Sequence, residues 1–275
     1  MTDLQSVSLE IYKKFKSICE KLDLSFWGIG GTCIGAVRHH GYIPWDDDID
    51  VAMPYSDYIS FIKYAQEELE DGFDIFYGYD YYIKMCDSNT AFINAEYIKN
   101  FKMYKGVGID VFPVFGMERG ENRQLLQAKN NDFYVGMYYE QRYKYYHQKS
   151  LKRKIAWNLL EPLKLYKGYK YWVNRSFREF SGILFDCSDK VLFAWRRLPS
   201  ATNHYQSVFN YKDFETYTEM PFEDTVMRVP IRYDSYLKDD FGDYMQLPPE
   251  GERVSIHTAA VIDLHNSYKT YIGKL

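Results

Sequence analysis

Hydrophobic and polar positions recur with two different periods along the first 115 residues. Apolar side chains at three- and four-residue spacing over 4–22 predict an amphipathic helix, and a similar pattern predicts a helix over 58–69. A short helix is expected over 32–38, behind a pair of glycines. Apolar or alternating runs of strand length occupy 24–30, 48–53, 73–77, 81–86 and 107–115, the last of them broken by Pro113. This order of elements predicts a mixed α/β region.

The pattern changes after residue 115. Residues 121–180 predict mostly helix, with interruptions at Pro162 and Gly168. The tail over 219–275 contains proline-bounded segments and is expected to include a last helix near 255–265.

The two patterns divide the chain into two expected parts. A chain of 275 residues is long enough for one large domain or two smaller ones. We predict an α/β (α+β) fold in which residues 1–118 form a core around a mixed β-sheet. Residues 119–275 are then a helical and irregular C-terminal region.

Composition and charge exclude several classes of protein. Hydrophobic residues make up 46% and charged residues 26% of the chain, as in ordinary globular domains. A net charge of −4 gives no overall attraction to nucleic acid, so no nucleic-acid partner is expected. No apolar run reaches the roughly 18 residues of a membrane span, the N-terminus lacks a signal-peptide pattern, and the four cysteines form no C-x-x-C pair. These features favour a cytoplasmic protein with reduced thiols.

Charge is distributed unevenly along the chain. Residues 43–80 carry eleven acidic residues and one lysine, whereas residues 142–178 carry eleven basic residues and one glutamate. The basic segment mixes its lysines and arginines with tryptophan, leucine and tyrosine. Two interpretations stay open for it: helices that pack on the core with a solvated face, or a peripheral contact with the inner face of a membrane or another polyanion.

Five aspartates are the strongest candidates for chemistry. Asp46, Asp47, Asp48 and Asp50 form one short run among apolar residues, and Asp110 stands alone in a strand-like run. Side chains two residues apart on a strand share a face, so Asp48 and Asp50 are expected to converge. A lone charge in a β run is costly unless it is paired or binds metal. Together these acids predict an oxygen-only site for Mg²⁺ or Mn²⁺, laid out as in two-metal phosphoryl-transfer sites; an acidic surface turn and a capped strand end are the alternatives.

The glycine pair is a candidate binding site for an anion, whereas the aspartates are candidates for binding a cation. Gly30 and Gly31 separate an apolar strand from a helix that starts at Thr32, and such a turn aims backbone N–H groups at an anion. Arg38, one to two turns later, could pair with the same anion. The spacing matches neither a dinucleotide-binding fingerprint nor a Walker loop.

The segment from Gly28 to Tyr58, GIGGTCIGAVRHHGYIPWDDDIDVAMPYSDY, resembles the signature of the LicD family of phosphotransferases. GIDVFPV at 108–114 resembles the family's second block. VPIRYDSYLKDDFGDYMQLPPEGER at 229–253 resembles its closing block, with Arg253 and His257 where the family often has basic residues. The IPWDDDID run is long and specific, whereas the helical middle of the chain matches no motif of the family.

The resemblance implies a nucleotidyltransferase-like fold. Residues 1–118 are then expected to form the catalytic core. Residues 119–275 are expected to complete the active site on the acceptor side. The residues that it assigns are Asp48, Asp50 and Asp110 as catalytic metal ligands, and Gly30, Gly31 and Thr32 as a phosphate cradle. From their positions in the sequence, Arg38 is a further candidate for a phosphate contact, and Lys84, in a strand-like run near the core, is a weaker one. Asp110 is also the candidate base.

The resemblance further implies a reaction. Members of the family, among whose relatives is fukutin-related protein, move a phospho-alcohol from a CDP-alcohol onto a glycan. We expect CDP-choline as donor, Mg²⁺ or Mn²⁺ as cofactor, and a cell-surface glycan as acceptor, such as lipopolysaccharide, teichoic acid or capsule, in free or lipid-linked form. The alternatives are a nucleotidyltransferase that uses an NTP and a catalytically inactive glycan-binding module. Aromatic rings attract quaternary ammonium groups, and the candidates for a choline cage are Tyr42, Trp45, Tyr77, Tyr79, Tyr81 and Tyr82.

Overall fold

The computed structural model describes residues 1–77, 81–95, 98–142, 170–194, 207–255 and 259–275. In chain order the helices are α1 (Asp3–Lys21), α2 (Gly30–Ile34), α3 (Tyr55–Glu68), α4 (Glu121–Arg142), α5 (170–180), α6 (Tyr211–Phe214) and α7 (Tyr233–Phe241). The strands are β1 (Trp27–Gly28), β2 (Asp50–Pro54), β3 (Phe73–Phe76), β4 (Ile83–Asp87), β5 (Ala91–Asn94), β6 (Gly108–Gly116), β7 (Lys190–Leu192), β8 (Val208–Asn210), β9 (Tyr217–Phe222), β10 (Thr225–Pro230) and β11 (Ala259–Asp263). The fold is α+β, as expected.

The first helix shows why the chain folds this way locally. Thr2 and Gln5 form a reciprocal capping box that satisfies backbone N–H groups at the start of α1. The apolar stripe predicted over 4–22 is buried, with Phe15 in edge contact with Phe26 and in tilted contact with Phe61. Because α1 packs its stripe on the sheet and on α3, it forms one wall of the core.

The central mixed sheet has the strand order β1-β2-β6-β4-β3. β6 lies in the middle, and every one of its residues is buried. β4 pairs with β6 in antiparallel register, which places Lys84 opposite Asp110. On the other side of β6, the Asp110 backbone N–H donates a hydrogen bond to the Ile49 carbonyl at 2.9 Å. The register therefore brings the acidic run beside the lone aspartate.

The chain divides into two compact units, Met1–Pro113 with Lys212–Leu275, and Val114–Tyr211. In the first unit the β9–β10 hairpin packs against β1, and the Tyr12 hydroxyl donates to the Val226 carbonyl at 2.9 Å. This grouping differs from the division expected at residue 118, because the chain after residue 211 returns to the first unit. Separate runs of elements along the sequence do not reveal such a return.

The second unit is described in part. β7 pairs with β8 and with the end of β6, and α4 and α5 supply its helices. The helical character expected over 121–180 is confirmed for α4 and α5. Residues 143–169, which hold Pro162, Gly168 and most of the basic segment 142–178, lie outside the described residues. In the part of the chain that the structure describes, no helix is both long enough and apolar enough to span a bilayer.

Three local predictions need correction. β6 runs unbroken through Pro113, since a proline removes one N–H donor without ending an extended strand. β2 begins at Asp50, so Asp48 lies in the segment before the strand and not within it. The helix expected near 255–265 is wrong: β11 pairs with β5, and 256–258 lie outside the described residues. Short apolar runs such as Ala259–Asp263 do not distinguish helix from strand by periodicity.

Candidate active site

Three aspartates meet where β2 and β6 run side by side. Asp48, Asp50 and Asp110 each offer a carboxylate oxygen, and these oxygens lie within 4.8 Å of one another. Asp46 and Asp47 form a second such group with Asp48. The convergence predicted for Asp48 and Asp50 is present, although only Asp50 belongs to the strand. We call Asp48, Asp50 and Asp110 the acidic cluster.

The acidic cluster is electrostatically strained when it holds no cation. Burial of the carboxyl group, followed by the charges of Asp48 and Asp110, raises the pKa of Asp50 well above its usual range, and Lys84 opposes this shift. Mutual repulsion of carboxylates is relieved when a cation lies between them. The donor set consists of carboxylate oxygens alone, which fits Mg²⁺ or Mn²⁺ and does not favour zinc.

Lys84 lies within the acidic cluster. Its Nζ is 2.6 Å from Asp110 Oδ1, and the two side chains are 12% and 13% exposed. The same ammonium group is 3.5 Å from the Gly108 carbonyl oxygen. The sequence predicted Lys84 as a weak phosphate contact; the structure shows it as the ion-pair partner of Asp110.

The glycine turn holds the acidic strand from the other side. Gly30 has a φ of +56°, a left-handed conformation that favours glycine. Its N–H donates to the Tyr236 hydroxyl at 3.0 Å, and the Asp50 N–H donates to the Thr32 hydroxyl at 2.8 Å. Thr32 therefore bonds Asp50 directly, while Tyr236 holds the glycine turn in place. The phosphate-cradle role given to Gly30, Gly31 and Thr32 stays a prediction.

Gly31 is in close contact with the acidic run. A side-chain carbon added at Gly31 would overlap the Asp46 carboxylate, and its next neighbour would be Ile43. Gly31 also lines a pocket. Because glycine has no side chain, the Asp46 carboxylate can lie directly against the backbone beside this pocket. The group that lies against Gly31 in the structure is therefore a carboxylate of the protein, and the predicted phosphate contact of Gly31 stays untested.

The pocket beside Gly31 has a volume of about 530 Å³. Most of its lining residues are apolar or aromatic, and the polar ones are Arg38, Gln246 and two acids. The lining residues used below are Gly31, Arg38, Trp45, Phe241, Tyr244 and Leu247. A cleft of this size and character is typical of sites for small organic ligands.

Arg38 fastens one wall of this pocket to the other. Its guanidinium donates to the carbonyl oxygens of Tyr244 and Gln246, the latter at 3.3 Å, and its Nε donates to His39 at 3.0 Å. Burial lowers the pKa of Arg38 from its usual value. The structure thus gives Arg38 a positioning role, and its predicted contact with phosphate stays untested.

Several residues of the site carried no signal in the local sequence. Tyr236 and Tyr244 are two of 28 tyrosines. Arg253 places its guanidinium carbon 5.7 Å from the centre of the Trp45 ring, and the Ser255 hydroxyl donates to Asp47 Oδ2 at 2.9 Å. The resemblance at 229–253 was the one indication that this segment belongs to the site. His257 lies outside the described residues.

The candidate cage residues do not form one group. Tyr42 is buried and its hydroxyl donates to the Gln5 carbonyl at 2.9 Å, while Tyr82 packs on Phe112. Tyr81 is buried, Tyr77 is exposed, and Tyr79 lies outside the described residues. Among the rings that the structure describes, Trp45 is the candidate that lines the pocket.

Comparisons with known proteins agree with the motifs. A family model described as LicD/FKTN/FKRP, nucleotidyltransferase domain, matches residues 23–174, more than half of the chain. The lipopolysaccharide cholinephosphotransferase LicD of Haemophilus influenzae is 26% identical over 279 residues, which cover 94% of this chain and 96% of that protein. An uncharacterized protein of Rickettsia typhi is 28% identical over 42% of this chain and 46% of its own length. One of Rickettsia prowazekii is 33% identical over 29% of this chain and 32% of its own length.

Proposed function

The chain belongs to the LicD family and is a LicD-type phosphotransferase, and we propose that it moves phosphocholine from CDP-choline to a sugar hydroxyl of a cell-surface glycan with release of CMP. The observation that carries the proposal is the acidic cluster next to the 530 Å³ pocket. The lipopolysaccharide cholinephosphotransferase of Haemophilus influenzae aligns with nearly the whole chain, and this likeness supports choline as cargo and a lipopolysaccharide glycan as acceptor.

The pocket and the acidic cluster are linked by a continuous row of groups. Gly31 lines the pocket and contacts Asp46, whose carboxylate oxygen lies within 4.8 Å of that of Asp48. Asp48 in turn belongs to the acidic cluster. A CDP-alcohol has the same two parts next to each other, an organic alcohol group and a diphosphate that binds cations. We propose that the choline group lies in the pocket and the diphosphate at the acidic cluster.

The carboxylates of this chain have two tasks in the proposed reaction. Asp48, Asp50 and Asp110 would hold Mg²⁺ or Mn²⁺, which supplies charge neutralisation for the diphosphate and for the departing CMP when it is bound. The acceptor oxygen forms a bond to the phosphorus that carries choline, and the bond from that phosphorus to the CMP oxygen breaks. The hydroxyl proton is lost in this step, and we assign its acceptance to Asp110.

The choline assignment depends on recognition of a trimethylammonium group. Trp45 offers an aromatic face at the pocket, and Asp243 and Glu252 line the same pocket with negative charge. Aromatic faces and carboxylates both attract a quaternary cation. A ribitol or glycerol cargo would need hydrogen-bonding groups where choline needs aromatic rings and carboxylates. Competition between CDP-choline and the CDP-polyols therefore identifies the cargo.

The test is CMP release from a panel of CDP-choline, CDP-ethanolamine, CDP-glycerol and CDP-ribitol, with and without EDTA. We expect CDP-choline to be preferred and EDTA to abolish release until Mg²⁺ or Mn²⁺ is restored. Preference for a polyol donor would overturn the choline cargo alone. Full activity after exhaustive EDTA treatment would reject the metal-dependent mechanism, and turnover of NTPs without CDP-alcohols would favour a nucleotidyltransferase.

The peripheral membrane contact predicted for 142–178 is a separate proposal. It rests on the charge of that segment and on a lipid-linked form of the acceptor. Sedimentation with anionic vesicles at low and high salt tests it, because salt screens attraction between charges at a surface. Binding that is absent at low salt would leave the segment with a structural role.

A further inference from the structure

We infer that Gln5, in the first turn of α1, is a positioning residue for the acidic cluster: its side-chain amide holds the backbone at Asp46 and thereby places the Asp48 carboxylate. The starting observation is that Gln5 Nε2 donates to the Asp46 carbonyl oxygen at 2.6 Å, across 41 positions of sequence. The Gln5 side chain is buried, at 3% exposure. The inference rests on the proposed metal-dependent function and names a further residue on which that function depends.

The amide group of Gln5 has a partner on each side. Its Oε1 accepts from the Thr2 backbone N–H at 2.7 Å, as one half of the capping box, and its Nε2 donates to Asp46. An N–H needs an acceptor and a carbonyl needs a donor, so these two partners fix which end of the amide is which. An ionised glutamate would complete the capping box equally well, but it has no hydrogen to donate to Asp46. The contact with Asp46 therefore accounts for a glutamine at this position, whereas helix capping alone does not.

Asp48 lies outside regular secondary structure, so its position depends on how its neighbours are held. On the side that leads into the sheet, the Ile49 carbonyl accepts from the Asp110 N–H at 2.9 Å. On the other side, the Gln5 amide holds the carbonyl of Asp46, two residues before Asp48. The backbone is thus attached on both sides of Asp48. Loss of the Gln5 bond would release one of the two attachments.

The first turns of α1 hold the same loop at a second point. The Tyr42 hydroxyl donates to the Gln5 backbone carbonyl at 2.9 Å and lies 2.8 Å from Ser8 Oγ. Both bonds remain when the side chain of Gln5 is changed. A substitution of Gln5 should therefore free the backbone at Asp46 and leave the start of the loop attached to α1.

A second buried glutamine provides a matched control. Gln127 on α4 is 4% exposed; its Oε1 accepts from the Glu118 N–H at 2.9 Å and its Nε2 donates to the Gly116 carbonyl at 3.1 Å. Gln127 therefore makes the same two kinds of bond as Gln5. Neither of its partners belongs to the acidic run. Gln127→Met removes the same types of bond from the protein as Gln5→Met, without touching the backbone beside Asp48.

The experiment measures the dissociation constant of Mn²⁺ in the full chain from the electron paramagnetic resonance signal of the free ion. Gln5→Met is expected to weaken Mn²⁺ binding about tenfold, as is usual when a residue that orients a metal ligand is lost. Two controls should bind Mn²⁺ as wild-type protein does: Gln127→Met, and Thr2→Ala, which removes the capping hydroxyl alone. CMP release by Gln5→Met should fall at limiting Mn²⁺ and recover as Mn²⁺ is raised, which a loss of stability alone would not produce. Circular dichroism confirms that each variant is folded.

The outcomes separate this inference from the proposed function. Mn²⁺ binding that weakens equally in Gln5→Met and Gln127→Met, or in neither, overturns the inference and leaves metal-dependent transfer intact. If Gln5→Met does not fold, Gln5→Glu decides, because it keeps the capping acceptor. Weaker Mn²⁺ binding by Gln5→Glu, in spite of the added negative charge, supports the inference, and binding at least as tight as that of wild type overturns it. Wild-type protein that binds no Mn²⁺ rejects the proposed metal site itself, and the inference with it.

Discussion

The motif segment, residues 30–50, and the closing segment, residues 229–255, contribute to one site in different ways. The motif segment supplies most of the acidic groups, since Asp46, Asp48 and Asp50 all lie in it. The closing segment supplies groups that hold the motif segment in place. Its Tyr236 hydroxyl accepts from Gly30, and its carbonyl groups accept from Arg38. The comparison teaches that the acidic groups of a candidate site can lie in one short motif while a segment about 200 positions away makes the hydrogen bonds that hold the motif in place.

The difference predicts two kinds of variant. A substitution of Asp48 or Asp50 should remove activity and leave the fold intact or more stable, because the carboxylates repel one another. A substitution in the closing segment should lower activity and stability together, because it removes hydrogen bonds that position the motif segment. The predictions below run from the largest expected effect to the smallest.

The largest effect is expected for Asp50→Asn. A metal ligand contributes several kcal/mol to stabilisation of the transition state, so transfer should fall by about 1,000-fold or more. Asp48→Asn should give a similar loss, and the double variant should lose little further, because both residues serve one site. CMP release from CDP-choline measures the loss, with Asp57→Asn on α3 as control. A folded Asp50→Asn protein with near wild-type activity would remove Asp50 from the catalytic site.

The stability of the same variant tests the electrostatic side of the comparison. The folded-state pKa of Asp50 is raised, so the stability linked to its protonated form is present below the unfolded pKa and is lost as pH rises through the folded pKa. In EDTA at neutral pH, Asp50→Asn should therefore melt at the same temperature as wild type or higher, and this difference should vanish near pH 4.

Asp234 in the closing segment is the matched control, because its pKa is shifted in the opposite direction from that of Asp50. Hydrogen bonds from Lys238 and Tyr244 lower its pKa, so its stabilising effect is present above the unfolded pKa and is lost as pH falls. Asp234→Asn should therefore not melt at a higher temperature than wild type at neutral pH. A neutral-pH melting temperature that falls for Asp50→Asn would contradict the repulsion argument.

Sequence reasoning recovered the motif segment because its signal is local. A glycine pair before a helix and closely spaced acids among apolar residues have meaning within about twenty residues. The position of Asp110 was also predictable, since a lone charge in a buried strand needs a partner. That partner, Lys84, was predicted only as a phosphate contact, because the pairing register of β4 with β6 is not visible in the sequence.

The closing segment could not be derived from local patterns. Tyr236 and Gly30 are 206 positions apart, and nothing near either residue indicates the bond between them. β11 was predicted as a helix because its short apolar run fits both periods, and its pairing with β5 decided the outcome. Residues 212–275 return to the first unit because of contacts with residues far away in the sequence, and local patterns do not reveal such contacts.

The next largest effect is expected for Arg38→Met. The variant keeps the apolar stem but loses charged hydrogen bonds to the carbonyls of Tyr244 and Gln246. We expect the free energy of unfolding to fall by about 2 kcal/mol and KM for CDP-choline to rise about tenfold, because one wall of the pocket is released. Arg123→Met, at a 74% exposed side chain, is the control. A lower kcat with unchanged KM would instead point to a direct contact of Arg38 with the reacting phosphate.

A smaller effect is expected for Tyr236→Phe. The variant leaves the buried ring in place and removes the acceptor of the Gly30 N–H, at a cost of about 1 kcal/mol in stability and roughly fivefold in kcat/KM. Tyr12→Phe is closely matched, since Tyr12 is also fully buried and its hydroxyl bonds a backbone carbonyl away from the site. Equal losses of activity in the two variants would mean that the Gly30 bond serves the fold in general.

The smallest effect is expected at the end of the closing segment, for Ser255→Ala. The Ser255 hydroxyl donates to Asp47 Oδ2 at 2.9 Å in an exposed position, where water can replace it, so kcat/KM should change by less than about twofold. Ser60→Ala removes an equally exposed hydroxyl bond within α3 and sets the background. The carboxylate of Asp47 lies close to those of Asp46 and Asp48, although Asp47 is not one of the three proposed metal ligands. A loss well beyond that of Ser60→Ala would therefore show that Asp47 must be oriented for transfer, and the site would extend from Asp48 toward the closing segment.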